Sequence, residues 1–259
     1  MGIIGAILGD ISGSQYEFMR TQNPNWKTCE LFTDNCNFTD DSVMTLATKL
    51  AIKENIPFDK AYRELGNKYP NAGYAGMFYT WLHCPNQKDY NSFGNGSAMR
   101  CSFIAEHFNT EKEVINWATK SSICTHSHFQ GVKGAIVTSM CAFMAKQGAS
   151  KQEIYKYASK HYPKEDYKYS VEYSISEYRD NYKWDVTCQG SVPVAIRCFL
   201  ESENYESFLR NVHSIPCDMD TICAIGGGIA EEFYKSTGLD EEYLLKKYLD
   251  KYLYDLVQM

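Results

Sequence analysis

Two short acidic clusters are the residues of this chain best suited to metal chemistry. Residues 39–42 read Thr-Asp-Asp-Ser, and residues 218–221 read Asp-Met-Asp-Thr. Each cluster has two carboxylates and at least one hydroxyl, with no histidine or cysteine between them. Hard oxygen ligands of this kind favour Mg²⁺ or Mn²⁺ over zinc. If the fold brings the clusters together, we expect a pair of divalent ions able to activate water.

The alternative for each cluster alone is a helix cap. Both clusters directly precede apolar helical patterns, at 42–52 and 222–233. Thr39 stands at an N-cap position, and carboxylates in a first helical turn complement the helix dipole.

Glycines mark further candidate segments. Glu17 follows Gly9 and Gly13 and is either an acid at a site or an ordinary surface glutamate. Residues 94–96, Gly-Asn-Gly, precede a helical pattern and can aim backbone amides at a phosphate, or form a plain tight turn. Phe93 beside this turn is suited to stacking on a ligand ring.

Other motifs favour structural roles. The spacing of His126 and His128 permits a metal site, but a pocket-lining or hydrogen-bonded loop role is simpler. The glycines of residues 226–228 fall inside a helical pattern, which favours close helix packing over a phosphate loop.

The dominant sequence period is helical. Apolar residues recur at spacings of three and four in nine stretches: 42–52, 98–107, 112–122, 131–147, 151–161, 192–200, 205–211, 221–236 and 241–256. Strand signals are weak, and residues 151–183 read as a solvated helical face. We therefore predict an all-α single domain over residues 1–259. Long loops are expected at about 10–40, 70–100, 121–130, 180–191 and 211–220.

Composition excludes some classes of protein. The net charge of −6 argues against stable binding to nucleic acid. The first ten residues do not have the pattern of a signal peptide, and no apolar run is long enough for a membrane helix, so we expect a cytoplasmic protein without a membrane partner. The ten cysteines contain no C-x-x-C pair and are expected to be reduced thiols. Nothing requires an oligomer, so a monomer is expected.

Five segments, taken in order, closely resemble the ADP-ribosylglycohydrolase family. They are residues 9–18, 38–42, 94–100, 125–128 and 218–221. The resemblance runs from about residue 2 to 235. It implies a compact orthogonal helical bundle with two divalent ions, Mg²⁺ or Mn²⁺, in a cleft. Ser42, Cys217 and Met219 depart from the residues usual in the family, but none of these changes removes an expected ligand oxygen.

The resemblance also implies roles for particular residues. The implied metal ligands are Thr39, Asp40, Asp41, Asp218, Asp220 and Thr221. Glu17 resembles the family's acid beside the scissile bond, and we predict Glu17, Asp40 and Asp41 as the catalytic set. The implied substrate-binding residues are Gly73, Gly76, Met77, Ser92, Phe93, Gly94, Asn95, Gly96 and His126.

The implied activity is removal of ADP-ribose from a modified acceptor, either a protein side chain such as arginine or serine or a small molecule, by cleavage at C1 of the distal ribose. Such a bond breaks through an oxocarbenium-like transition state. Two alternatives remain open: a two-metal hydrolase of a free ADP-ribose derivative or nucleotide, and an inactive ADP-ribose-binding relative.

Overall fold

Helices account for nearly all the regular structure of this protein. The computed structural model describes residues 2–21 and 23–259. Within these residues there are fifteen helices and no strand, apart from one isolated bridge between Gly94 and Thr187. The prediction of an all-α fold is confirmed. The helices are α1 (Gly2–Ser14), α2 (Asp40–Lys53), α3 (Phe58–Lys68), α4 (Gly76–His83), α5 (Gly96–Met99), α6 (Ser102–His107), α7 (Glu111–Ile123), α8 (Phe129–Lys146), α9 (Lys151–His161), α10 (Ile175–Asn181), α11 (Cys188–Leu200), α12 (Tyr205–His213), α13 (Met219–Tyr234), α14 (Glu241–Tyr248) and α15 (Lys251–Gln258).

Helices α1 and α13 pack unusually close together because both present glycines at their contact. A Cβ atom added at Gly5 would lie 2.4 Å from the Gly227 carbonyl oxygen. One added at Gly9 would lie 2.3 Å from the Cys223 carbonyl oxygen. Real Cβ atoms do not approach backbone so closely, so only glycine permits this helix spacing. The packing role predicted for residues 226–228 agrees with these contacts.

Helix α2 places the first acidic cluster beside this pair. Helix α1 contacts α2 as well as α13, and α13 also contacts α2. The first residues of α2 and α13 are Asp40 and Met219, so both acidic clusters lie at helix N-termini. Helices α1, α2 and α13, each in contact with the other two, therefore bring the two acidic clusters close together.

Helix boundaries differ from the sequence prediction in several places. Helix α1 extends into the expected 10–40 loop, and α4 lies within the expected 70–100 loop. Helices α3 and α10 were not predicted. The pattern at 98–107 is broken around Cys101, and the pattern at 241–256 is broken at Leu249 and Asp250. Asp250 caps α15 by accepting from the Leu253 amide, which accounts for the second break.

The solvated helical face predicted for residues 151–183 is present in α9, where only Ile154 and Ala158 are buried, but the tyrosines that follow contradict the prediction. Tyr162, Tyr169, Tyr178 and Tyr182 are buried, because the chain leaves α9 and folds back before α10. All ten cysteines have free thiols, as expected. Within residues 2–21 and 23–259, no helix combines the length and apolar character needed to cross a bilayer.

Candidate metal centre and cavity

The two acidic clusters meet in the folded chain. Thr221 Oγ1 donates a hydrogen bond to Asp41 Oδ2 at 3.2 Å. Thr39 Oγ1 lies 3.4 Å from the same Asp41 oxygen and 3.5 Å from Asp220 Oδ2. Asp10, Asp41 and Asp220 each offer a carboxylate oxygen, and these atoms all lie within 4.8 Å of one another. The structure thus assembles a buried carboxylate group from α1, α2 and α13.

Asp10 is the member of this group to which sequence reasoning gave no role. It is fully buried in α1 and accepts hydrogen bonds from the Thr39 amide at 2.9 Å and the Thr39 hydroxyl at 2.7 Å. It also accepts from the amide and hydroxyl of Ser42. Asp10 therefore orients the N-terminal turn of α2. A lone acid in the apolar helix of residues 2–14 was the available signal, since such a residue needs a partner when buried.

Mutual repulsion and burial both act on this group. Burial, and then the neighbouring carboxylates, raise the pKa of Asp40, Asp41 and Asp220 well above the usual range. Burial also raises the pKa of Asp10, against the lowering effect of its four hydrogen bonds. Asp41 Oδ1 is buried and has no hydrogen-bond partner within the described residues. Converging hard oxygens with an unsatisfied lone pair fit a divalent cation, which would relieve the repulsion.

Asp218 is linked to the glycine turn as well as to this group. It accepts a hydrogen bond from Asn95 Nδ2 at 2.7 Å, and the same amide reaches Ser191 Oγ at 3.0 Å. Burial raises the pKa of Asp218 to about 6 even though side-chain hydrogen bonds with Asn95 and Thr221 lower it. Asn95 therefore fixes the second acidic cluster relative to the turn at 94–96.

A large cavity opens above the carboxylates, with a volume of about 680 Å³. Nearly all the site residues predicted from sequence line it: Glu17, Asp40, Asp41, Gly73, Gly76, Met77, Ser92, Phe93, Gly94, Asn95, Gly96, His126, Asp218, Asp220 and Thr221. Thr39 is buried beneath the lining and reaches the carboxylates through its hydroxyl. The placement agrees with a shared site, while the individual roles stay predictions.

Glu17 lies on the turn after α1, at the cavity wall. Burial, together with the charges of Asp218 and Asp10, raises its pKa to about 7. Its backbone carbonyl accepts a hydrogen bond from Trp184 Nε1 at 3.4 Å. The Arg20 guanidinium stacks 3.3 Å from the centre of the Trp184 ring. The segment around Trp184 therefore holds the Glu17 turn against the cavity.

Two backbone amides of the turn at 94–96 donate hydrogen bonds to other residues of the protein. The Gly94 amide donates to Ser92 Oγ at 3.1 Å, and the Asn95 amide donates to the Val186 carbonyl at 2.8 Å. These two amides are engaged within the protein, so the prediction that the turn aims several amides at a phosphate does not hold for them. The segment containing Val186 and Thr187 borders the cavity and supports the turn from one side.

The two histidines of residues 126–128 have separate environments. His126 is buried on the cavity wall. His128 caps α8 by accepting from the Gln130 amide at 3.2 Å. His126 and His128 therefore do not form a shared metal site. The alternative prediction, a pocket-lining or hydrogen-bonded loop role, agrees with the structure.

The all-helical fold thus places a buried carboxylate group, which could hold a metal ion, at the floor of a large cavity. Comparison with known protein families identifies the family of this chain. Residues 1–258 match the model of the ADP-ribosylglycohydrolase family. The chain belongs to this family.

Individual relatives are distant. The chain is 27% identical over 183 residues to "ADP-ribosylhydrolase ARH3" of Mus musculus, covering 58% of this chain and 50% of that protein. It is 28% identical over 184 residues to the Homo sapiens protein of the same name, again covering 58% and 50%. The chain thus spans about half the length of these relatives.

Two further matches cover more of both chains. "Putative ADP-ribosyl glycohydrolase L543" of Acanthamoeba polyphaga mimivirus is 25% identical over 287 aligned positions, with 91% of this chain and 86% of that protein covered. A solved structure described as "ADP-ribosylglycohydrolase-related protein complex" superposes with a TM-score of 0.69 at 17% identity, covering 98% of this chain and 95% of the other. The structural match supports the fold alone.

Proposed function

We propose that this protein hydrolyses the glycosidic bond at C1 of the distal ribose in an ADP-ribosylated acceptor, with two divalent ions as cofactors. The observation that carries the proposal is the convergence of two distant acidic clusters at the floor of one large cavity. A cavity of about 680 Å³ suits a ligand of nucleotide size. Membership of the ADP-ribosylglycohydrolase family supports an ADP-ribosyl substrate.

The metal ligands in this proposal are oxygen atoms of Thr39, Asp40, Asp41, Asp218, Asp220 and Thr221. Asp10 orients the first of these segments through its contacts with Thr39 and Ser42. When bound, the ions would neutralise the carboxylates and lower the pKa of a water molecule. The hard oxygen set favours Mg²⁺ or Mn²⁺.

Glu17 has the environment of a general acid or base. Burial is the largest cause of its raised pKa, which is about 7 in the metal-free protein, and burial persists when bound ions neutralise the neighbouring carboxylates. The carboxyl group is therefore suited to proton exchange near neutral pH. Cleavage through an oxocarbenium-like transition state needs a proton at the leaving atom, which Glu17 can hold at the cavity wall. Asp40 is the other predicted catalytic group with partial exposure, and it lines the same cavity.

The cavity rim supports binding of a ligand with both apolar and anionic parts. Phe18 is 73% exposed and Phe93 is 46% exposed, although both are large apolar residues. Exposed aromatic rings at a cavity mouth are suited to packing against a nucleobase or an acceptor. The bound cations would supply the positive field that a chain of net charge −6 lacks for a diphosphate.

A substrate panel tests the proposal and separates its alternatives. ADP-ribosyl-arginine, ADP-ribosyl-serine, an ADP-ribosylated nucleobase and free ADP-ribose derivatives are each incubated with the protein and Mg²⁺ or Mn²⁺, and released ADP-ribose is quantified. Metal-dependent release from a modified side chain supports the proposal. Turnover of free derivatives alone identifies the nucleotide hydrolase. Thermal stabilisation by ADP-ribose without any turnover identifies an inactive binder and overturns the proposal.

A further inference from the structure

Arg100 is a buried cation on the wall of the cavity. It has no exposed surface, and its guanidinium lies 4.2 Å from the centre of the Tyr62 ring. One terminal nitrogen donates to the Ser121 carbonyl and to Thr125 Oγ1, each at 2.9 Å. An arginine side chain has donors and no acceptor, so the Thr125 oxygen accepts this hydrogen bond.

The next contact in this chain of hydrogen bonds is with the imidazole of His126. Thr125 Oγ1 lies 2.7 Å from His126 Nδ1. With Arg100 donating to its oxygen, the Thr125 hydroxyl proton is available for the unprotonated nitrogen of a neutral imidazole. Nδ1 then accepts, and the ring proton resides on Nε2. Burial and the Arg100 charge both lower the pKa of His126 well below its usual value, which favours the neutral ring.

The opposite nitrogen of His126 faces the glycine turn. A Cβ atom added at Gly96 would lie 3.2 Å from His126 Nε2, and one added at Gly94 would lie 3.7 Å from it. Glycine at position 96 therefore leaves room for the edge of the ring. The Gly94 and Asn95 amides of this turn are already engaged. His126 Nε2 makes no hydrogen bond within residues 2–21 and 23–259, so it remains available to a ligand.

We propose that Arg100 and Thr125 are positioning residues that hold His126 as the neutral Nε2–H tautomer, whose N–H is a hydrogen-bond donor to a ligand oxygen beside the Gly94–Gly96 turn. The ligand oxygen belongs to a phosphate or a ribose hydroxyl, a choice that rests on the proposed function. A neutral donor keeps its proton across the neutral pH range, unlike a histidine that titrates there. Arg100 and Thr125 act on the ligand only through the imidazole.

The tautomer itself is tested without reference to activity. Nitrogen NMR of ¹⁵N-histidine-labelled protein distinguishes protonated from unprotonated ring nitrogens, and His126→Gln assigns the resonances among the six histidines. We expect Nε2 protonated and Nδ1 unprotonated in the wild-type protein. Thr125→Val, which keeps the shape and removes the hydroxyl, should give a mixture of tautomers, and Thr125→Ser should restore the single form. A wild-type ring protonated at Nδ1, or a Thr125→Val spectrum unchanged from wild type, would overturn the proposal.

Ligand binding tests the donor role. ADP-ribose affinity is measured by calorimetry in Mg²⁺, with thermal unfolding as the check on folding. Thr125→Val should bind about tenfold more weakly, as expected for one misdirected hydrogen bond, and Thr125→Ser should bind like wild type. Equal affinity in all three proteins would overturn the donor role. If the wild-type protein has the Nε2–H tautomer but does not bind ADP-ribose, the proposed function is overturned. The positioning of His126 by Arg100 and Thr125 would still stand.

Discussion

The Thr221 hydroxyl contacts the Asp41 carboxylate across 3.2 Å, although 180 positions separate the two residues in the chain. This hydrogen bond joins the N-terminal turns of α13 and α2. Asp10 of α1 then ties the Thr39 end of α2 to the same centre. The carboxylate group therefore exists only when α1, α2 and α13 are packed together. A change that separates these helices should also disrupt the group.

Asp41→Asn should abolish stabilisation by Mg²⁺ while preserving the helical fold. The substitution removes one charge from a group of mutually repelling, buried carboxylates, so the metal-free variant should be at least as stable as wild type. In the wild-type protein, Mg²⁺ at about 100 times its Kd should add about 2.7 kcal/mol to the free energy of unfolding. Thermal unfolding with and without Mg²⁺ measures both effects.

Asp166→Asn is the matched control for this substitution, because Asp166 is exposed and outside the cavity. It should respond to Mg²⁺ like wild type. A Mg²⁺ response in Asp41→Asn equal to that of wild type would remove Asp41 from the metal site.

The metal-free protein should lose stability as the pH rises above the ordinary range of carboxyl groups. Burial raises the folded-state pKa to about 6 for Asp218, about 7 for Glu17 and about 8 for Glu231. The folded state then holds protons that the unfolded chain releases, so the free energy of unfolding falls through this window. In chelator, the melting temperature should be higher at about pH 7 than at about pH 8.5, a window chosen because burial lowers the pKa of four histidines, which act in the opposite sense at lower pH.

Saturating Mg²⁺ should weaken the part of this pH dependence that comes from the cavity, because bound ions neutralise the neighbouring carboxylates. Glu231 lies on the far part of α13, where it accepts from the Gly5 amide at 2.6 Å, so its contribution should persist. A metal-free melting temperature that rises with pH over this interval, or a pH dependence untouched by Mg²⁺, would contradict the electrostatic account.

Gly9→Ala should destabilise the fold and disrupt the metal centre together. The new methyl group would lie 2.3 Å from the Cys223 carbonyl, so α1 and α13 must separate, at a cost of about 1–3 kcal/mol. Asp10 is the next residue and would shift with α1. Chemical denaturation measures the loss, and Mg²⁺ titration measures the effect on the site.

Gly76→Ala serves as the stability control, since no atom lies within 4 Å of a Cβ built there and Gly76 is the first residue of α4. It should leave the free energy of unfolding unchanged or slightly increased. Equal stability of Gly9→Ala and wild type would show that the close helix contact tolerates expansion.

Glu17→Gln should slow turnover by about 100- to 10,000-fold, the usual contribution of general acid–base catalysis. ADP-ribose affinity should change by less than about threefold, because the amide preserves shape and most contacts. Steady-state kinetics on the best substrate, with calorimetric binding of ADP-ribose, separates these effects. Equal losses in turnover and affinity would assign Glu17 to binding.

The sequence predicted the helical fold and both acidic clusters because their signals are local. Helical periodicity, caps and short acid motifs depend on neighbours a few residues apart. Helices α3 and α4 lack a side-chain N-cap and so lack that local start signal. Helix α10 has a capping box formed by Ser174 and Glu177, a local signal that the prediction overlooked. The residues of the cavity came from the family resemblance and could not be derived from spacing alone.

Contacts between residues far apart in the chain could not be predicted from local sequence patterns. Asp10 forms its hydrogen bonds only when α1 lies beside α2. Nothing in the residues around Asp10 predicts that its partners are Thr39 and Ser42. The Trp184 side chain donates a hydrogen bond to the Glu17 carbonyl, although the two residues are 167 positions apart in the chain. Arg100 is an ordinary arginine in sequence, and only packing shows that it is buried against Tyr62 and Thr125.

The most direct test of the central claim measures release of ADP-ribose from an ADP-ribosylated side chain by the wild-type protein and by Asp220→Asn, each with Mg²⁺ and with excess chelator. We predict release by the wild-type protein in Mg²⁺ and none above background in the other three reactions. Asp220→Asn should retain the wild-type helical content in circular dichroism. Full activity in chelator, or in folded Asp220→Asn with Mg²⁺, would contradict a metal-dependent hydrolase built on the two acidic clusters.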